Sequence, residues 1–179
     1  MTTVSIADIS DALHSSIGRL IDENRVVLLD ADEEGYTVYI LQISEEVWKC
    51  KKCTRQLGAD FMGATAFYVG MTKRTREERI ADHVQSNLDY GKGSGLGIAE
   101  KNYWTRGAKM TRHHPFLPFD EVELVAPDGE LLEGRLRLDD AKLLEQIVVP
   151  SVLRALGLAA YAGATEEFIV RKKLRTKSS

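Results

Sequence analysis

A tyrosine, an arginine and a histidine follow one another in Tyr68-Val69-Gly70-Met71-Thr72, Arg79 and His83, and their types suit work on a phosphate ester. Arg79 carries a planar fork of donors that matches phosphate oxygens. A histidine can bind phosphate or relay a proton, which makes His83 a candidate for either role. The Tyr68 hydroxyl can position water or an oxyanion. Arg76, Arg79 and His83 are spaced by three and four, so they line one side of a helix. Thr75 and Glu78 form the Thr-x-x-Glu pattern of a capping box, which predicts that this helix starts at Thr75 and runs to about Leu88. A helix start carries free N–H groups and partial positive charge, which favour an anion. The ordinary alternative is a turn followed by a solvated helix face.

The elements around this segment follow from periodicity. Ile6, Ile9, Leu13, Ile17, Leu20 and Ile21 recur at helical spacing, predicting an amphipathic helix over 6–23. Residues 25–29 are a short apolar run, and 30–35 an acidic turn. Tyr36 to Ile43 is rich in β-formers and reads as a strand; Thr65 to Val69 reads as a second. The stretch 44–63 between them reads as an insertion. Residues 98–110 are expected to be helical, 119–125 a third strand, and 131–138 an extension or connecting strand. A long apolar helix is expected from about Asp139 to Leu156, ending at Gly157, with a kink or break at Pro150. The expected fold is α+β, a small three-stranded, largely antiparallel sheet flanked by helices. The expected division is a helical, acidic N-terminal appendage over 1–35, a domain over 36–163 and a basic tail over 164–179.

Composition sets bounds on function. The 179 residues are 44% hydrophobic and 28% charged, the balance of an ordinary globule. Apolar stretches are too short to span a bilayer, and the N-terminus has no signal-peptide pattern, so the expected location is cytoplasmic. The net charge of -3 does not suit a surface that is basic throughout. Positive residues nevertheless gather at Lys73, Arg74, Arg76 and Arg79, at Lys101, Arg106, Lys109 and Arg112, and over 171–177, which allows a local basic groove on an acidic body.

Tyr68-Val69-Gly70, followed by Thr72, Glu77-Glu78-Arg79 and His83, resembles the second motif of the GIY-YIG nuclease family. Thr37-Val38-Tyr39 is similar to that family's first motif. Leu144-Glu145-Gln146 through Leu153-Arg154-Ala155-Leu156-Gly157 resembles its C-terminal helix, which bears a metal-binding glutamate. The likeness spans roughly 36–163. It departs at Thr37, where the family usually has glycine, in the long 44–63 insertion, and in lacking an asparagine after Gly157.

The resemblance implies an endonuclease that hydrolyses nucleic-acid phosphodiesters, DNA above all, with Mg²⁺ or Mn²⁺. It implies that Glu145 holds the ion, Arg79 contacts the scissile phosphate, Tyr39 activates or orients water, and Tyr68 positions water or phosphate. His83 would relay a proton, bind phosphate or give support. Lys73, Arg76, Lys101, Trp104 and Arg106 are candidates for nucleic-acid contact, with Trp104 able to stack on bases. The alternative is a catalytically silent nucleic-acid-binding module on the same fold. For Glu145 the ordinary reading is a surface carboxylate paired with Lys142 or Lys101. Cys50 and Cys53 supply only half of a structural zinc site, and two reduced thiols are the ordinary reading.

Overall fold

The structure, a computed structural model, describes residues 4–30, 32–43, 45–49, 51–79, 116–117 and 124–162. Helix α1 (Ile6–Asp22) starts at Ser5, whose hydroxyl accepts from the Asp8 N–H at 3.2 Å while Asp8 Oδ2 accepts from the Ser5 N–H at 2.9 Å. This reciprocal cap satisfies donors that a helix start leaves unpaired. Most of the predicted stripe is buried: Ile9, Leu13, Ile17 and Leu20 point into the core and Ile21 packs half-buried against it, whereas Ile6 in the first turn is exposed.

Strands β1 (Thr37–Ile43) and β2 (Ala66–Thr72) pair antiparallel, with Tyr39 opposite Gly70 and Leu41 opposite Tyr68. A two-residue strand, β3 (Phe116–Leu117), adds antiparallel to β1. The last strand is β4 (Ala159–Ala162), which runs parallel to β2 with Tyr161 beside Tyr68. The sheet order is β3-β1-β2-β4. Two of the three pairings are antiparallel, as expected; the sheet departs from the expected three strands in having a fourth, β4, whose parallel pairing makes it mixed. A parallel neighbour requires a crossover, and the helical span from Leu138 to Ala155 precedes β4 in the chain. Its alanines are poor β-formers by themselves, but Ala159 and Ala160 are fully buried, where small side chains let layers approach from both faces.

The two faces of the sheet have separate cores. Val38, Ile40, Phe67, Val69 and Ala160 pack with α1 and the C-terminal helical span in one cluster. Tyr39, Leu41, Ile43, Ala66, Tyr68, Ala159 and Tyr161 face the other way. That second face is covered by the 44–63 segment, the stretch read from the sequence as an insertion. It forms a 3-10 turn (Glu45–Lys49), helix α2 (Lys51–Leu57) and a second 3-10 turn (Ala59–Phe61). Val47, Cys53 and Leu57 from it are buried against the tyrosines. The Trp48 indole donates to the Ala64 carbonyl at 3.0 Å, tying the segment to the start of β2.

The C-terminal span is α3 (Leu138–Leu143), a π turn (Leu144–Val148) and α4 (Val149–Ala155). Gly157 ends it with φ of 79°, a left-handed conformation that glycine adopts without penalty. Residues 124–136 fold over β1: Val125 bridges Leu131 around a turn at Asp128-Gly129, and Leu136 bridges both Leu28 and Tyr36. Thr37 is buried and its hydroxyl accepts from the Gly134 N–H at 2.9 Å. Thr37→Val should leave that N–H without its acceptor and cost about 1 kcal/mol in urea unfolding. An unchanged midpoint would show that the bond is not needed. Among the described residues no helix is long and apolar enough to cross a membrane.

Candidate active site

Alternation along β1 and β2 puts Tyr39 and Tyr68 on the same face, with ring centroids 6.2 Å apart and planes tilted by 59°. Both are buried, at 2% and 3% exposure. Tyr39 lies across Gly70, its partner in register: a Cβ at Gly70 would fall on the Tyr39 ring and hydroxyl. The glycine after Tyr68 is thus a gap that the first tyrosine fills. Gly70→Ala should cost about 1–3 kcal/mol, because the Tyr39 ring is enclosed and cannot swing aside. Chemical denaturation measures this, and wild-type stability in the variant would place the ring elsewhere.

Arg79 comes from the helix that follows β2. Its capping box is present: the Glu78 carboxylate accepts from the Thr75 N–H at 3.1 Å, and the Thr75 hydroxyl from the Glu78 N–H at 3.3 Å. The Arg79 guanidinium donates to the Tyr39 hydroxyl, and Tyr68 donates to the same oxygen. Burial pushes Tyr39 above the ordinary phenol range; the Arg79 charge and the two donated bonds pull it back, and Glu145 pushes it up. Tyr68 is held well above that range, by burial first and then by Tyr39 and Glu145. Both are therefore neutral phenols near pH 7.

Glu145 arrives from the helical layer on the opposite face. Pairing between β2 and β4 ends at Val69 and Ala162, and the Met71 N–H two residues later donates to the Glu145 carboxylate. The carboxylate thus lies at the end of the sheet, where its charge acts on both tyrosines. It is 7% exposed. Burial raises its pKa to about 7, against the opposing pull of bonds from Gln146 and the Met71 N–H. Lys101, one of the two expected partners, lies outside the described residues; among the described residues the carboxylate accepts from Gln146 and from the Met71 N–H. A hard carboxylate oxygen within electrostatic reach of two phenols suits Mg²⁺ or Mn²⁺, which take oxygen donors and, for Mg²⁺, keep several waters. Among the described residues no group of three or more His, Cys, Asp or Glu side chains converges as a ready-made cage; a single carboxylate with water would do the holding.

The structure thus brings together Tyr39, Tyr68, Arg79 and Glu145. Arg76 and Lys73 lie nearby but are engaged: Arg76 pairs with Glu77 at 3.5 Å, and the Lys73 ammonium sits 5.3 Å from the Tyr36 ring centroid. The helix start that sequence suggested for a phosphate already has an anion, because Glu133 accepts from the Arg76 N–H at 2.8 Å. His83, Lys101, Trp104 and Arg106 lie outside the described residues, as do Cys50 and the predicted helix over 98–110. Tyr161 stacks on Tyr68, centroids 6.1 Å apart, and was not foreseen. Its sequence context, Ala-Ala-Tyr-Ala, carries no signal for a site. A cleft beside Tyr39 is bordered by Thr37, Arg76, Leu132 and Glu133.

The fold and site define an α+β protein with a tyrosine pair, an arginine and a buried glutamate converging at one end of its sheet. No protein-family model, curated protein or solved structure matches the chain.

Proposed function

We propose that the chain is a metal-dependent endonuclease of the GIY-YIG type that hydrolyses nucleic-acid phosphodiester bonds, DNA in the first instance. The observation that carries this reading is the Tyr39 hydroxyl, which accepts from both Arg79 and Tyr68 within electrostatic reach of Glu145. Phosphodiester hydrolysis develops negative charge on the non-bridging and leaving oxygens, so a site must offer donors and positive charge there. Arg79 supplies a fork that can hold a phosphate oxygen while still bonded to Tyr39. Tyr39 is a neutral phenol, so it orients the attacking water through its hydroxyl. Where proton density leaves the Tyr39 oxygen, the two donors from Arg79 and Tyr68 stabilise the negative charge that develops on it. Tyr68, buried and fully protonated, fixes the position of Tyr39. Glu145 would hold Mg²⁺ or Mn²⁺. When bound, the ion supplies Lewis-acid stabilisation of charge on the phosphate and leaving oxygen.

A second reading is a nucleic-acid-binding module that keeps the constellation without cleaving. The burial of Tyr39, Tyr68 and Glu145 favours it, since each is at most 7% exposed. Supercoiled plasmid separates the two. Nicking that requires Mg²⁺ or Mn²⁺ supports the nuclease; retarded plasmid with no nicking at any divalent concentration supports the module and ends the nuclease reading.

A further inference from the structure

The buried stripe of the C-terminal helical span is out of step with an α-helix. Ala141, Leu144, Val149 and Leu153 are all fully buried. Their numbers give intervals of three, five and four. Five residues along an α-helix turn about 500°, which would leave Val149 roughly 140° away from the face that Leu144 occupies. The chain absorbs the extra residue in the π turn Leu144–Val148, where the Val149 N–H donates five residues back to the Leu144 carbonyl. Pro150 reinforces this. It has no N–H for the Gln146 carbonyl, and its ring would crowd that carbonyl in a regular helix. The wide turn keeps both flanking stripes in the core, and Glu145 sits inside it.

We propose that this π turn is the positioning device for the Glu145 carboxylate, with the five-residue interval and Pro150 setting its reach to the Met71 N–H beside the tyrosines. π turns of this kind are inserted single residues that recur at functional sites, and here the insertion coincides with the one buried carboxylate among the described residues. Pro150 touches no reacting group; it acts through Glu145. The consequence for catalysis rests on the nuclease reading, whereas the consequence for Met71 does not.

The test regularises the helix. Ile147 is 59% exposed, so deleting it together with Pro150→Ala restores a four-residue interval without emptying the core. The readouts are amide hydrogen exchange at Met71 by NMR, and kcat and KM for plasmid nicking with Mg²⁺. The expected result is a folded protein whose Met71 amide exchanges at least about tenfold faster. Its kcat should fall about 10²-fold with KM little changed, as misplacement of a functional group does. Ile147→Ala, which keeps the chain length, should match wild type in both. A folded deletion variant with wild-type Met71 protection overturns the proposal. Should the deletion variant not fold, Glu145→Asp decides. A rigid turn leaves the shorter carboxylate out of reach and Met71 exposed to exchange; preserved protection would mean the backbone follows the carboxylate, and the proposal fails. A wild-type protein that does not nick plasmid ends the nuclease reading alone, because the exchange at Met71 still tests the turn.

Discussion

Arg79→Ala should lower metal-dependent nicking by at least about 10²-fold, the usual loss when one preorganised charge donor is removed from a phosphoryl or acyl site. The reason is local. Arg79 is the cation that bonds directly to the Tyr39 oxygen, and its charge opposes the upward push of burial and Glu145 on that phenol. Without it, Tyr39 retains the single donor Tyr68, and no planar fork faces the phosphate. Arg79→Lys should recover little, because an ammonium cannot bond the phenol and a phosphate oxygen in one plane. Stability should change by no more than about 1 kcal/mol, since the side chain is only half-buried and leaves no core cavity. Thermal unfolding and a nicking time course on the same preparation check this. Wild-type nicking by Arg79→Ala would remove the residue from the site.

Glu145→Gln carries the second large expectation, and it has two opposite signs. Nicking should vanish, because the amide cannot hold a divalent ion as a carboxylate does. Stability at alkaline pH should rise. In the folded protein Glu145 titrates near pH 7, raised from an ordinary 4.5 by burial. Below about pH 4.5 the group is protonated in folded and unfolded chains alike and makes no difference. Between 4.5 and 7 the unfolded chain ionises while the folded chain holds its proton, so stability falls as pH rises. Above 7 the loss is complete, on the order of 3 kcal/mol for a shift of that size. Glu145→Gln removes the ionisation, so it should lack this fall and exceed wild type at pH 8 while matching it near pH 4.5. Urea unfolding across that range measures the difference, and parallel curves for the two proteins would show that the carboxylate is not buried in solution. On the proposed nuclease reading, nicking by the wild-type protein should climb from pH 6 to pH 8 as the carboxylate becomes available to the ion.

Short-range order was legible in the chain. The α1 stripe was plain from helical spacing, and the Thr75–Glu78 box fixed the start of the helix that bears Arg79. Alternation in two β-rich runs was enough to put Tyr39 and Tyr68 on neighbouring strands. The sheet's composition was not legible. Ala159–Ala162 has little β propensity and becomes a strand only because it is buried between layers beside β2. The 44–63 segment read only as an insertion, and its role in covering the tyrosine face rests on three side chains, Val47, Cys53 and Leu57, that are scattered in sequence. The helix start at Thr75 looked free to take an anion, whereas Glu133, distant in the chain, occupies it.

Glu145 marks the boundary between the two kinds of information. Sequence set its type and its place on an apolar helix, where a carboxylate among valines had to find a partner or lie at an edge. It also set Pro150, which interrupts a regular helix, but not the five-residue step, because Ile147 and Val148 are apolar too and only packing buries Val149 in their place. Only the tertiary structure decided that the partner is the Met71 N–H and that the neighbours are two phenols and a guanidinium. The physical reason is distance along the chain. Propensity, capping and periodicity act over a few residues, while burial and charge at this site come from groups tens of residues apart that meet only when the sheet and its helices close on one another.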